Sequence, residues 1–410
     1  MPLVARLVDT VSPLTSPAPL RVLPALAVGM VGVVAATISR RLGGSARVQV
    51  LSAIGVGWVG VLLGQGHLLS TAVFDFLAWS VVLLLVIMLL DGADRRWWMA
   101  VGAVIGLGFQ NKHTIVALAV ALLVATLVGG RSVLGGRWPW VGAAIALVLA
   151  APNIVWQATH GWPQLEMSAA LASRSDGPVA FVLQQPLLLS VSTAVPAAAG
   201  WWWLWRSGRF RPIAVAYILL FVTFLLTGGK AYYLAPMATV LVPAGMEWFA
   251  GRRLLTFGAI GLAVGLFVAL PLMPVSAQAS FDPTGELGET VGWPELVSQV
   301  EAVASGLPPD TVVFTGSYGQ AGAIELLSDL PVFSGHNSYW WWGPPTEHGP
   351  VIGLGEIESI MALFCDDIEQ VGTITNPWGV GNEEFGNPIL LCREPTRQLS
   401  EVWDQVRHYN

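Results

Sequence analysis

Charge is scarce in this 410-residue chain. Asp, Glu, Lys and Arg make up 11% of it, where a soluble domain carries about 25%. Lysine is scarcer still: Lys112 and Lys230 stand against eighteen arginines. There are two cysteines, which excludes a disulfide-rich scaffold. The formal charge of −6, with no basic cluster and no base-stacking pattern, argues against nucleic acid as a partner. No spacing of His, Cys, Asp or Glu suggests a metal centre, and no cofactor is expected. The glycine-rich turn "GSYGQAG" lacks the spacing of a nucleotide fingerprint.

What fills the chain instead is apolar sequence. Hydrophobic residues make up 54% and mean hydropathy is +0.64. A water-soluble core of this length does not need so much apolar surface, so most of the chain is expected to face a lipid bilayer. Long apolar runs predict about ten spans, at roughly 22–39, 48–64, 72–90, 97–110, 113–129, 138–156, 183–205, 212–227, 231–249 and 254–271. The organisation read from this is an interfacial outer segment over 1–21, a transmembrane domain over 22–271 and a C-terminal extracytoplasmic α/β domain over 272–410. The whole reads as a polytopic α-helical membrane protein of the plasma membrane.

Arginine placement sets the predicted orientation. Arg40, Arg41, Arg47, Arg95, Arg96, Arg131, Arg137, Arg206, Arg209, Arg211, Arg252 and Arg253 all fall in the odd gaps between spans. The even gaps hold only Lys112, Arg174 and Lys230. Basic residues of short loops stay cytoplasmic, so the even gaps and the C-terminal domain are expected outside. All six histidines and both cysteines fall on that outer side. There Cys365 and Cys392 are read either as one disulfide or as two small buried hydrophobes. The same orientation puts Met1 outside with no span to carry it there, so an upstream span is expected before it.

The lysines stand out against this frame. Lysine within a bilayer costs about 2.5–3.5 kcal/mol at the centre of a helix, so one that persists lines a cavity, has a partner, or snorkels to the headgroups. Both lie at the outer ends of predicted spans, in "GLGFQNKHTIV" and "LLTGGKAYYLAP". An ammonium is a compact point charge suited to a phosphate oxygen. Gln110, Asn111 and His113 surround Lys112; Gly228, Gly229, Tyr232 and Tyr233 surround Lys230. We read this as an anion site on the outer face, formed by Lys112, Lys230, Tyr232 and Tyr233. Asp75, a carboxylate inside a predicted span, is read as a partner for a lysine, a holder of a sugar hydroxyl, a proton acceptor, or a structural ion pair. His67, His160 and Glu166 are weaker polar candidates on the same side, Asn111 and His113 supporting ones.

Taken in order, "GHLLSTAVFDFLAW", "GLGFQNKHT", "PNIVWQATHGWPQLE" and "GGKAYYLAP", followed by "GSYGQAGAIELL" and "VFSGHNSYWWWGPP", resemble the GT-C membrane glycosyltransferases of the protein O-mannosyltransferase and aminoarabinose-transferase type, glycosyltransferase family thirty-nine. The resemblance implies a GT-C fold and a sugar donor carried on a polyprenyl phosphate. It further implies transfer with inversion to a protein, glycan or lipid acceptor at the outer face, and an acidic base in a first outer loop. It implies phosphate binding by Lys112 and Lys230, with Tyr232 and Tyr233 in support. The chain departs from the pattern in three places. The first span and acidic loop are expected upstream of Met1, and Asp9 does not align with that base. Ala72 stands where relatives carry an aspartate, with Asp75 three residues on. Thr239 stands where a second proline is usual. A membrane transporter and a non-catalytic, truncated remnant of the transferase are the competing readings.

Over 272–410, "TVVFTGS", "PVIGLG" and "PILLCRE" are predicted strands. "GQAGAIELLSDL" and a stretch near 395–408 are predicted helices, giving a small α/β layer. The tryptophan run Trp340–Trp342, beside His336 and Asn337, is read as a packed hinge over the membrane surface, as a cover for the membrane active site, or as an acceptor-binding surface.

Overall fold

A computed structural model of the chain describes residues 8, 10, 19–175, 177–246, 248, 272–278, 287–346 and 349–409. The described residues fall into two compact units, 8–248 in one and 272–409 in the other. The span expected at 254–271 and most of the segment expected at 1–21 lie outside the described residues.

The first unit is helical. Its described helices are α1 (Val22–Arg41), α2 (Ala46–Gly57), α3 (Gly60–Gln65), α4 (Thr71–Leu90), α5 (Trp97–Asn111), α6 (Thr114–Gly129), α7 (Trp138–Thr159), α8 (Pro163–Ser173), α9 (Gly177–Leu188), α10 (Val191–Arg206), α11 (Arg211–Thr227) and α12 (Ala238–Met246). A 3-10 turn, Ala231–Met237, leads into α12. The helices starting at Pro19, Thr71 and Trp138 are long and apolar enough to cross a membrane. α4 is the most enclosed of them, with 61% of its apolar window buried, against 17% for α7. Trp79, Leu83 and Ile87 of α4 are wholly buried. Their i, i+4, i+8 spacing puts them on one stripe of the helix.

Three of the expected spans are broken. The run 48–64 divides into α2 and α3 at Trp58–Val59. The run 183–205 falls on α9 and α10, which meet at a 103° bend. Ser190 takes a positive φ of 69° at that bend and donates through Oγ to the Trp58 carbonyl at 2.6 Å. The run 231–249 begins as a 3-10 turn containing Pro236, which has no N–H for an α-helical ladder.

Two helix pairs approach closely because neither carries a side chain at the crossing. A Cβ on Gly200 of α10 would overlap the Leu241 carbonyl of α12, and one on Gly245 would overlap the Pro196 carbonyl. Gly102 of α5 and Gly142 of α7 meet in the same way. Small residues at such crossings let backbones pack where lipid supplies no hydrophobic drive. One polar pair sits inside this packing: the Ser80 and Thr239 hydroxyls lie 2.8 Å apart, and Ser80 also bonds the Phe76 carbonyl at 2.7 Å.

The second unit is an α/β layer. A five-stranded sheet runs in the order β2 (Val332–Ser334), β1 (Val312–Thr315), β3 (Val351–Leu354), β5 (Pro388–Cys392), β4 (Ile368–Thr373). β1 is parallel to β2 and β3, while β5 is antiparallel to β3 and β4. β1 is buried throughout because both of its faces are covered. Val312 and Phe314 point to a cluster with Phe364 and Trp403; Val313 points to one with Leu296 and Ile324. Helices α13 (Trp293–Ala304) and α14 (Tyr318–Leu327) supply Leu296 and Ile324, and Ser317 closes α14 with a reciprocal capping box to Gln320. β2 and β4 were not among the expected strands, and the helix expected near 395–408 is a 3-10 turn, Leu399–Gln405. Cys365 and Cys392 form a disulfide inside the Phe314 cluster.

Candidate functional site

The clearest cleft in the first unit lies at one end of the α4 helix. Its polar lining comes from Gln65, Asp75, Lys112, Tyr232 and Tyr233, with Ala72 beside Asp75. Four separate elements supply these groups. Gln65 ends α3, Ala72 and Asp75 share one face of the first turns of α4, and the tyrosines stand on the 3-10 turn. Lys112 occupies the break between α5 and α6, where its backbone is extended (φ −155°, ψ 132°) and no longer helical.

Lys112 is held by aromatic faces. Its Nζ lies 4.8 Å from the Tyr232 ring centroid and 4.7 Å from that of Tyr233. It also donates to the Tyr232 hydroxyl at 3.5 Å. The two rings are edge-to-face at 4.9 Å, and Tyr233 is backed in turn by Phe224 at 5.5 Å. Cation–π contacts of this kind hold an ammonium without using all three of its N–H donors.

Asp75 is 5% exposed. Its Oδ2 accepts a hydrogen bond from Thr114 Oγ1 at 2.7 Å. Its Oδ1 and, one turn along α4, the Trp79 Nε1 are buried without a hydrogen-bond partner among the described residues. Among the described residues Asp75 and Lys112 make no direct ion pair, although they line the same cleft. A carboxylate and an ammonium in low dielectric attract over several ångströms, so each offsets part of the other's burial.

The residues next to Lys112 in sequence serve the scaffold. Gln110 Nε2 donates to the Leu149 carbonyl at 2.6 Å, and Asn111 Nδ2 to the Thr71 carbonyl at 2.8 Å. His113 Nε2 lies 3.0 Å from Asn153 Oδ1, and its ring meets Phe109 edge-on at 4.4 Å. These bonds tie the helix break to α4 and α7 and thereby fix where Lys112 emerges.

The other expected residues do not line this cleft. Lys230 is half-buried at the start of the 3-10 turn, two residues before Tyr232. The structure thus brings Lys112, Tyr232, Tyr233 and Asp75 together and leaves Lys230 outside the lining. His67 sits between α3 and α4, where burial lowers its pKa below the ordinary histidine value. His160 ends α7, stacked on Trp156 at 4.6 Å with Nδ1 2.8 Å from the Trp156 carbonyl. Glu166 is exposed in the first turn of α8. Two groups had not been singled out from the sequence. Thr114 fixes Asp75, and Gln65 faces the cleft with its Oε1 accepting from Ser70 Oγ at 2.7 Å. The signal for Thr114 was its place two residues after the lysine, at the start of a helix.

In the second unit the tryptophan run is divided. Trp340 and Trp403 exchange reciprocal indole-to-carbonyl hydrogen bonds at 2.8 and 3.0 Å, whereas Trp342 is 60% exposed.

The stretch that carries Asp75, Lys112 and Thr114 also carries a likeness to a known family. Residues 4–156 match the family model of the dolichyl-phosphate-mannose-protein mannosyltransferases. Over that stretch, a little over a third of its length, the chain is similar to this glycosyltransferase family. The mannosyltransferase match covers Asp75, Lys112 and Thr114 and stops before Lys230, Tyr232 and Tyr233. No curated protein sequence matches the chain. Among solved structures, an oligosaccharyltransferase of Archaeoglobus fulgidus is 14% identical with a TM-score of 0.45, over 87% of this chain and 59% of that one. Arabinofuranosyltransferase AftD from Mycobacteria is 15% identical with a TM-score of 0.46, over 91% of this chain and 35% of that one. This chain therefore spans about 59% and 35% of the two.

Proposed function

We propose that the chain is an integral membrane glycosyltransferase of GT-C type that moves a sugar from a polyprenyl-phosphate donor to an acceptor hydroxyl at the outer membrane face, with inversion. The observation that carries this reading is the Lys112 ammonium, set in a cleft between two tyrosine rings by a broken helix within the family-matched stretch. In such a transfer the anomeric carbon–phosphate oxygen bond breaks as the acceptor oxygen attacks, and the acceptor hydroxyl's proton passes to the released phosphate monoester or to water. Negative charge then grows on the leaving phosphate, and a fixed cation beside it is the most valuable group a site can offer. Lys112 takes that role. The Tyr232 hydroxyl is a second donor, and the Tyr233 face holds the ammonium in place. We assign Lys230, at the start of the same turn, to another oxygen of the same phosphate. Asp75 is buried with one oxygen committed to Thr114, so we assign it to fixing Lys112 and not to receiving the acceptor's proton.

The test is transfer from a short-chain polyprenyl-phosphate sugar by the full chain in proteoliposomes. Lys112→Gln is expected to lower turnover by about 10²–10³, the usual loss when one charge-stabilising donor is removed. Lys112→Arg should recover part of it. Unchanged turnover in Lys112→Gln would remove the phosphate role. Solute uptake by wild-type protein without sugar transfer would put the transporter first.

A further inference from the structure

α5 has chemistry at both ends. Lys112 follows its last residue, Asn111, and Arg96 precedes its first, Trp97. With 15 residues, the helix separates the two by about 22 Å at 1.5 Å per residue. At the Arg96 end a second arginine, Arg137, stands immediately before α7. Both guanidinium groups rest on one indole: the Arg96 Cζ is 5.6 Å and the Arg137 Cζ 4.9 Å from the Trp138 ring centroid. The two carbons are therefore at most about 10.5 Å apart. Among the described residues neither arginine has a carboxylate partner. The nearby Asp94 turns its Oδ1 back to accept the Arg96 backbone N–H at 2.8 Å.

The loop carrying Arg137 is stapled to the one carrying Arg96. Arg95 spends its guanidinium on two carbonyls, donating to Ser132 at 2.9 Å and Gly135 at 3.0 Å. Trp98 Nε1 donates to the Val133 carbonyl at 3.0 Å. A Cβ on Gly135 would sit 3.1 Å from the Arg95 guanidinium, so glycine is what lets it approach. Just beyond, the Gly102–Gly142 crossing holds α5 against α7. Two like charges are thus held near one another by at least three hydrogen bonds and a helix crossing, and among the described residues neither is salt-bridged to a carboxylate. Fixed, unpaired, planar guanidinium groups are what phosphate recognition uses. The flanking Trp97 and Trp140 are 44% and 77% exposed, as residues of a membrane–water interface are.

We propose that Arg96 and Arg137, seated on Trp138, bind the phosphate of an anionic phospholipid headgroup at the membrane face opposite the Lys112 cleft. The site accepts a phosphodiester between the two guanidinium groups, with Trp97 and Trp140 against the upper acyl chains. It is independent of the sugar-transfer reaction and rests only on α5 and α7 lying in a bilayer.

The experiment titrates the purified full chain in detergent with phosphatidylglycerol and with phosphatidylcholine, counting retained lipids by native mass spectrometry. Arg96→Gln/Arg137→Gln is compared with Arg40→Gln/Arg41→Gln, which removes the same charge from an exposed pair at the end of α1. The first is expected to weaken phosphatidylglycerol binding about tenfold and abolish its preference over phosphatidylcholine, and the second to change little. Equal losses in both double variants would reduce the effect to general surface charge and overturn the site, as would no loss in either. Displacement of phosphatidylglycerol by millimolar inorganic phosphate would reassign the site to a free anion. Thermal midpoints of both variants within a few degrees of wild type keep the comparison interpretable; should Arg96→Gln/Arg137→Gln unfold, Arg96→Lys/Arg137→Lys replaces it. That variant retains charge while losing the planar fork, and wild-type binding by it would refute phosphate bridging.

Discussion

Replacing Thr114 by valine removes one hydroxyl and almost no volume, and it isolates the contact that holds Asp75. The bond is 2.7 Å and its acceptor belongs to a side chain that is 5% exposed. A hydrogen bond to a charged group contributes about 1.5–3 kcal/mol, and that is the expected cost of Thr114→Val. For a domain of this size it lowers the thermal midpoint by about 2–4 °C per kcal/mol. Asp75→Leu removes the other partner. It is expected to cost more, since it strands the Thr114 hydroxyl and also takes away the carboxylate that shares the cleft with Lys112. The double variant leaves no orphaned hydroxyl, so its cost should fall short of the sum of the singles by about 1.5–3 kcal/mol. Thermal midpoints of the four proteins in one detergent, with ligand absent, close the cycle. Additive costs would mean that hydroxyl and carboxylate do not support each other. The assignment of Asp75 as a fixed group behind Lys112 would then fall.

Gly200→Ala and Gly245→Ala each place a methyl group into a backbone carbonyl of the facing helix. Each should destabilise by about 1–3 kcal/mol, read as a lower thermal midpoint, while Gly29→Ala, with open space around it, should not. Glu384 is buried against Gln320, and burial raises its pKa above the ordinary value of 4.5. A carboxyl whose folded pKa is raised stabilises below its unfolded pKa, and that contribution is lost as pH rises through the folded one. Glu384→Gln should therefore gain stability over wild type as pH rises above the ordinary glutamate value of 4.5, and a pH-independent difference in midpoint would contradict this. Removing the Cys365–Cys392 bridge frees a loop with a sequence separation of 27. The loop-entropy relation gives about 3–4 kcal/mol for that length, so Cys365→Ala/Cys392→Ala should lower denaturation resistance by that order without altering the first unit.

Much of the helical layout was legible because apolar length and Gly/Pro/Arg punctuation act locally. The runs 72–90, 97–110 and 113–129 correspond to α4, α5 and α6 within a residue or two. Breaks inside runs were not legible. Trp58–Val59, Ser190 and Pro236 barely lower a windowed hydropathy, yet each ends a regular ladder. Lys112 could be singled out because lysine is so scarce, and its helix break because two short runs meet there. Its neighbours Asn111 and His113 looked like site residues because sequence adjacency does not say which way a side chain points. In the structure they are tethers to Thr71 and Asn153.

The sequence by itself determined that most of the chain is apolar helix, that an α/β unit follows it, and where the rare cations stand along both. Those are consequences of composition and short-range periodicity, which need no knowledge of contacts. Only the tertiary structure decided that Asp75 meets Thr114, that Lys112 lies between Tyr232 and Tyr233 while Lys230 stays outside the cleft, and that Arg96 and Arg137 share one indole. Those pairings join residues 39 to 121 positions apart. At such separations side-chain meetings are set by how helices cross, and the crossings depend on glycine contacts and helix breaks that no local pattern encodes.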